Sequence, residues 1–289
     1  MTIPGPILLF GADGQLGLEL AARLPVEART RRDLDVTDPR LVEDAVMALE
    51  PSLVVNATAY PRVDACETDP APAFAVNTVA VHHLARAAAR SGARLVHFST
   101  DYVFGGGPPG PYAEDAPPAP VNVYGASKLA GEQLALAADA RSLVIRSSGL
   151  YGRRGSRGKG GNFVDIMLRL AREGRPVRVV DDQTLGPTSA ADLADAVVRL
   201  LGVDPPGGVY HLTNAGACSW FEFAQRIFAI AGLRPEVHPI SSEAYGAAAR
   251  RPPNSVLLNR RAAALGLPAL RPWPAALEAY LRARDPGTP

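Results

Sequence analysis

The sequence holds few cysteines, almost no lysine and no long apolar run, and each shortage closes off a class of protein. Only Cys66 and Cys218 occur, far apart, without a Cys-x-x-Cys pair or a nearby histidine pair. Neither a disulfide framework nor a zinc site is indicated, and both are read as reduced thiols. No apolar stretch reaches the roughly 18 residues needed to cross a bilayer, and the first strand candidate, Pro6 to Phe10, comes too early for a charged leader and signal core. The expectation is a cytoplasmic protein with no membrane partner. A formal net charge of +1 provides no basic excess, which argues against nucleic acid and leaves a small anionic ligand open. Of the 30 Lys plus Arg residues, only Lys128 and Lys159 are lysines, and there is no internal repeat or low-complexity tract of note.

What is present is ordinary globular chain: 289 residues, 47% hydrophobic and 20% charged, enough for one large domain or a large one carrying a smaller lobe. Short apolar runs alternate with amphipathic stretches: Ile7–Phe10 then Gln15–Leu24, Leu53–Asn56 then Ala71–Ser91, Leu95–Ser99 then Tyr124–Ala138, and Leu143–Ser147. That alternation predicts parallel β-α-β units buried on both faces, an α/β fold with a doubly wound sheet. After about residue 150 it becomes less regular, with helices expected over Phe163–Glu173, Pro187–Leu201, Ser219–Gly232, Asn259–Leu265 and Pro274–Ala283. Residues 1–150 are therefore read as a doubly wound core, which the glycine-rich turn Gly11–Gly17 that follows its first strand marks as a dinucleotide-binding Rossmann core. Residues 151–289 are read mainly as a smaller substrate-binding lobe, some segments of which return to the core.

Gly11-Ala12-Asp13-Gly14-Gln15-Leu16-Gly17 follows the first strand and opens the first helix. The glycine spacing permits a sharp turn, close approach to a pyrophosphate and tight helix packing, while the helix start offers free N–H donors. Thr30 and Arg31 follow the second strand, where an adenosine ribose would lie; a guanidinium there can pair with a 2′-phosphate, which favours NADPH with NADH as the alternative. Asp35 and Val36 are candidates to border the adenine. Ala57, Thr58 and Ala59 end the third strand with small residues that suit either a flat cofactor or close helix packing.

Tyr124 and Lys128 stand four apart, so on a helix they share a face, and the lysine cation is expected to lower the phenol's pKa and to reach the nicotinamide ribose. Thr100 closes the fourth strand, where ligands gather in open parallel sheets, and is the candidate to hydrogen-bond a reacting carbonyl. Ser99 points to the other side of that strand and is a cofactor candidate rather than a catalytic one.

At these residues the chain resembles the dTDP-4-dehydrorhamnose reductases, within the extended short-chain dehydrogenases. The likeness runs through Gly14-Gln15-Leu16-Gly17, Asp33-Leu34-Asp35-Val36-Thr37-Asp38, Val63-Asp64-Ala65-Cys66-Glu67, Ser99-Thr100-Asp101-Tyr102-Val103-Phe104, Tyr124-x-x-x-Lys128, Gly161-Asn162-Phe163, Asp182-Gln183 with Pro187-Thr188, and Arg271-Pro272-Trp273. It implies NADPH-dependent reduction of the 4-keto group of dTDP-6-deoxy-L-lyxo-4-hexulose to dTDP-L-rhamnose, a precursor of cell-surface polysaccharide. By the same resemblance Tyr124 donates the proton, Thr100 orients the oxygen, Lys128 tunes the phenol, and Asp101, Tyr102, Asn162 and Phe163 lie near a nucleotide-sugar substrate. The chain departs from many relatives at Gly149, where an aromatic residue is common, and at Pro61, where threonine is. Some relatives are dimers bridged by magnesium through glutamates. Glu19 matches one of these and the Ala191-Asp192 region lacks the second, so no metal is expected and a homodimer stays open.

The alternatives are another nucleotide-sugar reductase or 4-epimerase of the same fold, or a non-catalytic subunit resembling the regulator of methionine adenosyltransferase. A 4,6-dehydratase is disfavoured because Tyr102, not glutamate, follows Thr100-Asp101.

Overall fold

Six short strands make the central sheet: β1 (Ile7–Phe10), β2 (Val26–Arg29), β3 (Leu53–Asn56), β4 (Arg94–Thr100), β5 (Leu143–Ser147) and β10 (Gly208–His211). Their order is β10-β5-β4-β3-β1-β2, and every pairing is parallel. This computed structural model describes residues 5–107, 110–154 and 161–284. Lys159 and much of the Gly- and Arg-rich stretch around it fall outside the described residues.

The strands β1, β3 and β5 are buried at every position because helices cover both faces of the sheet. On one face Leu8, Phe10, Val54, Leu95 and Val144 pack against α2 (Pro39–Leu49), α5 (Ala80–Ser91) and α6 (Val123–Ala138). On the other, Ile7, Leu9, Val55, Val96 and Ile145 pack against α1 (Gln15–Ala21) and α8 (Ala190–Gly202). The helix expected over Ala71–Ser91 is present but interrupted: α4 (Ala71–Phe74) runs through a π turn, Ala75–Val79, into α5. A short α3 (Val63–Thr68) precedes it. Gly92 ends α5 at φ +79°, a backbone region that favours glycine.

The later part of the chain builds a second apolar cluster around Val164, Phe223, Ile227 and Leu277. It draws on α7 (Phe163–Arg172), β7 (Val177–Val180), α9 (Trp220–Ile230) and α12 (Trp273–Arg284). Asn162 and Ser219 start α7 and α9 with capping boxes closed by Asp165 and Glu222. Three two-stranded pairs frame this cluster: β6 (Leu150–Tyr151) with β9 (Thr188–Ser189), β8 (Thr184–Leu185) with β11 (Cys218–Ser219), and β7 with β12 (Val237–Ile240). Short helices α10 (Ser242–Tyr245) and α11 (Arg260–Ala264) follow. The same half of the sequence also supplies β10 to the central sheet and α8 to its face.

Toward the carboxyl ends of the strands, the apolar face beneath α6 gives way to a polar row. Asn56 on β3 stands opposite His97 on β4, and Arg146 on β5 stands opposite Ser99. Arg146 binds Glu132 of α6 bidentately at 2.9 and 2.6 Å, the two side chains 3% and 0% exposed, with the guanidinium 5.1 Å from the Phe104 ring centre. A charge so buried survives only while paired. Replacing Glu132 by Gln should therefore cost about 3–5 kcal/mol of stability, read as a lower urea midpoint. An unchanged midpoint would show that the pair does not hold α6 on the sheet.

Candidate active site

The strand order reverses at β1 and β3, and the ends of these two strands form the crevice at which open parallel sheets bind ligands. Gly11 leaves β1 at φ +80°, and a Cβ there would come 2.9 Å from the Ala57 carbonyl group. The N–H groups of Gly11 and Ala12 donate to Arg29 O at 2.9 and 3.2 Å, and Gly14 N–H donates to Gly11 O at 3.0 Å, which closes the turn. A Cβ on Gly17 would lie 2.1 Å from Gly11 O, so only glycine lets α1 start this close to the turn. No side chain caps α1. Its first N–H groups are thus available to an anion. Two polar oxygens of the expected cofactor residues, Gln15 Oε1 and Ser99 Oγ, are buried without a protein partner. Gln15 uses its amide nitrogen to reach Leu150 O at 2.9 Å. These features fit a dinucleotide.

Beyond β2, Asp33 accepts from both the N–H and the hydroxyl of Thr30 at 2.8 Å, and Asp35 accepts from Thr37. These bonds hold both carboxyls below the usual range. Arg31 is exposed beside this turn, and Val36 is buried under it. Thr58 bonds back to Asn56, while Ala57 is partly buried and Ala59 is exposed.

Tyr124 and Lys128 sit on α6, which begins at the Asn122 cap. Gly125 presses onto Tyr102 O, where a Cβ would come within 2.1 Å, so the helix start is locked against the turn that follows β4. Thr100 caps that turn, accepting from Tyr102 N–H at 3.2 Å and donating to Asp101 at 3.0 Å. The Thr100 side chain lies beside the Tyr124 phenol, whose ring meets Tyr102 edge-on at 5.9 Å. Burial pushes the phenol above its ordinary pKa, opposed by the Thr100 side chain. The expected lowering by the lysine cation is not what the structure shows. Lys128 directs its nitrogen instead to Phe98 O at 2.6 Å and lies 3.4 Å from His97 Nε2. Burial pushes Lys128 down to about 8.

Thr100, Asp101, Tyr102, Tyr124 and Lys128 are thus brought together. Asp101 is buried and accepts from Ser148 at 2.8 Å and Ser255 at 2.6 Å as well as from Thr100; burial raises its pKa against those bonds. Asn162 and Phe163 are engaged in the later half of the chain. Asn162 caps α7 and donates to Gly152 O at 2.9 Å, and Phe163 stacks among Trp220 and Phe223. Gly149 has φ +51° and packs against Leu185 and Pro187. Glu19 is buried, and burial works to raise its pKa; Arg153 and Arg23, at 2.8 and 2.7 Å, overcome that and leave it below the usual range. Among the described residues no cluster of three or more His, Cys, Asp or Glu side chains is arranged to hold a metal.

Sequence reasoning missed His97, Ser148, Ser255 and the Asp64–Arg251 pair, whose bidentate bonds of 2.8 and 2.7 Å join α3 to the C-terminal segment. Only His97 carried a signal, as a polar residue inside an otherwise apolar strand.

Comparison with known proteins agrees with this geometry. The family described as "RmlD substrate binding domain" matches residues 5–285. The dTDP-4-dehydrorhamnose reductase of Mycobacterium tuberculosis (strain CDC 1551 / Oshkosh) is 42% identical over 287 residues, covering 96% of this chain and 92% of that protein. The spore coat polysaccharide biosynthesis protein SpsK of Bacillus subtilis (strain 168) is 40% identical over 284 residues, covering 96% and 98%. The crystal structure of dTDP-4-dehydrorhamnose reductase from Bacillus anthracis str. Ames, in complex with NADP, superposes with a TM-score of 0.92 at 36% identity, covering 96% of this chain and 99% of that one. The glycine turn, the Thr100–Tyr124–Lys128 grouping and the end-to-end likeness lead to one assignment: the chain belongs to the dTDP-4-dehydrorhamnose reductase family.

Proposed function

We propose that this protein reduces the 4-keto group of a dTDP-sugar with NADPH, converting dTDP-6-deoxy-L-lyxo-4-hexulose to dTDP-L-rhamnose for polysaccharide synthesis. The observation that carries the reading is the placement of Thr100 beside the Tyr124 phenol at the end of β4, with Lys128 one helical turn along. The relatives named above as dTDP-4-dehydrorhamnose reductases, one of them holding NADP, support the substrate class and the cofactor.

In this reading the turn Gly11, Asp13, Gly14, Gln15, Leu16 and Gly17 holds the pyrophosphate, and Thr30 and Arg31 hold the 2′-phosphate. Asp35 and Val36 border the adenine, and Ala57, Thr58, Ala59 and Ser99 line the middle of the cofactor. NADPH supplies the hydride that reaches the sugar ketone. Tyr124 supplies the proton that the resulting alkoxide oxygen needs. A phenol is protonated through neutral pH and so carries the proton to be given. Thr100, fixed between Asp101 and the Tyr102 N–H, keeps its oxygen beside the phenol. Lys128 holds the nicotinamide ribose, and Asp101, Tyr102, Asn162 and Phe163 shape the sugar side. Residues 1–150 mainly serve the cofactor, and residues 151–289 mainly the substrate.

No described helix is long and apolar enough to cross a membrane. Cys66 and Cys218 are buried and not disulfide-bonded, which supports work in the reducing cytoplasm.

Purified protein given the 4-keto sugar should consume NADPH stoichiometrically, followed at the NADPH absorbance band, with dTDP-L-rhamnose identified by NMR. A 4-epimerase would give product without net NADPH loss, and absence of any turnover would point to a binding role. Replacing Tyr124 by Phe should lower kcat by about 10²-fold or more with NADPH binding nearly unchanged; full activity would remove the phenol from proton donation. Arg31→Ala should weaken NADPH, measured by fluorescence titration, more than it weakens NADH. Equal losses would count against 2′-phosphate recognition.

A further inference from the structure

The group that faces Lys128 across the α6–sheet interface is a histidine, and its protonation can be read from its neighbours. Asn56 and His97, both 0% exposed, stand opposite each other on β3 and β4. Asn56 Oδ1 accepts from the Thr58 main-chain N–H at 3.0 Å and from the Thr58 hydroxyl at 2.6 Å. A main-chain N–H can only donate, so the amide oxygen must face Thr58 and the amide nitrogen must face His97. Asn56 Nδ2 lies 3.1 Å from His97 Nδ1 and has only protons to offer. His97 Nδ1 therefore accepts. Burial, reinforced by the Lys128 charge, holds His97 well below the ordinary histidine range, so the ring is neutral. A neutral imidazole that accepts at one nitrogen carries its proton on the other. That other nitrogen, Nε2, is the one 3.4 Å from Lys128 Nζ.

We propose that Thr58, Asn56 and His97 form a tautomer lock on Lys128, with His97 as a positioning residue that turns an N–H toward the lysine nitrogen and weakens its hold on a proton. The proposal deepens the reductase reading, since it rests on the role given there to Lys128. Burial by itself brings Lys128 down to about 8, so the lock rests on the hydrogen-bond geometry and not on that value. The anion that acts the other way on Lys128 is Glu132. Glu132, one turn along α6, is already bound by Arg146 from β5. Tyr124, one turn back, is a neutral phenol, and Asp101 and Cys66 act on that phenol from beyond it.

If the cationic form of Lys128 is the working one, its deprotonation sets the falling alkaline limb of kcat/KM, and the lock keeps that limb low. Asn56→Ala frees His97 Nδ1, lets the ring take the opposite tautomer, and so turns a lone pair toward the ammonium. His97→Gln offers an amide oxygen in the same place. Both should move the limb upward by about one pH unit, the scale expected when an acceptor replaces a donor beside a buried cation. A purely structural role would lower kcat or stability and leave the limb where it was.

A readout independent of turnover uses protein labelled with ¹⁵N-histidine. One non-titrating histidine, identified by its loss in His97→Gln, should show the Nε2–H tautomer, and Asn56→Ala should switch it to Nδ1–H. The Nδ1–H form in the unaltered protein, or a limb unmoved in both variants, would overturn the proposal. Should Asn56→Ala fail to fold, the unaltered spectrum and His97→Gln decide. If the protein turns over no keto sugar, the spectrum still decides the lock, and only the reductase reading falls.

Discussion

The seating of α6 against the end of β4 is the constraint from which the candidate site follows. Two glycines make it close: a Cβ at Gly125 would come 2.1 Å from Tyr102 O, and one at Gly131 the same distance from Asn77 O. Lys128 adds a bond into β4 at Phe98 O. The π turn before α5 takes part as well. It places Asn77 where its amide meets both main-chain groups of Tyr60 and also the Ser127 hydroxyl. An extra residue in a helical turn is a common device for aiming one side chain at a functional region. Because Tyr124 and Lys128 share a face one turn apart, fixing α6 in this way fixes both.

A second constraint is electrostatic. The polar row across β3, β4 and β5 lies at the edge of an apolar layer, where a bare charge is costly. The chain meets that cost in three ways. Arg146 and Glu132 neutralise each other bidentately, Asp101 gathers three hydroxyl donors, and His97 stays neutral. Lys128 bonds a carbonyl and lies beside an imidazole, and burial loosens its hold on its proton.

The later half of the chain reaches the same place through its C-terminal segment. Ser255 donates to Asp101, Arg251 grips Asp64 of α3, and Asn122, the cap of α6, donates to Arg250 O at 2.8 Å. Thr100 and its neighbours are therefore held by chain that lies more than half the sequence away. Movement of that segment would be felt at the Thr100 hydroxyl through a single carboxylate.

The sequence alone determined the local parts. Alternating runs identified the strands and helices, the glycine spacing identified the turn after β1, and a four-residue interval put Tyr124 and Lys128 on one face, because each is a property of neighbours along the chain. The π turn, the short bridging strands and which of the later segments would return to the main sheet were not legible, since no local period marks them. Only tertiary structure decided the surroundings: that burial raises the Tyr124 phenol where a neighbouring cation had been expected to lower it, that Asp101 is enclosed by Ser148 and Ser255, and that Asn56 dictates the face His97 turns to Lys128. Desolvation and hydrogen-bond direction depend on what the fold brings into contact, and those partners stand tens to more than a hundred residues apart.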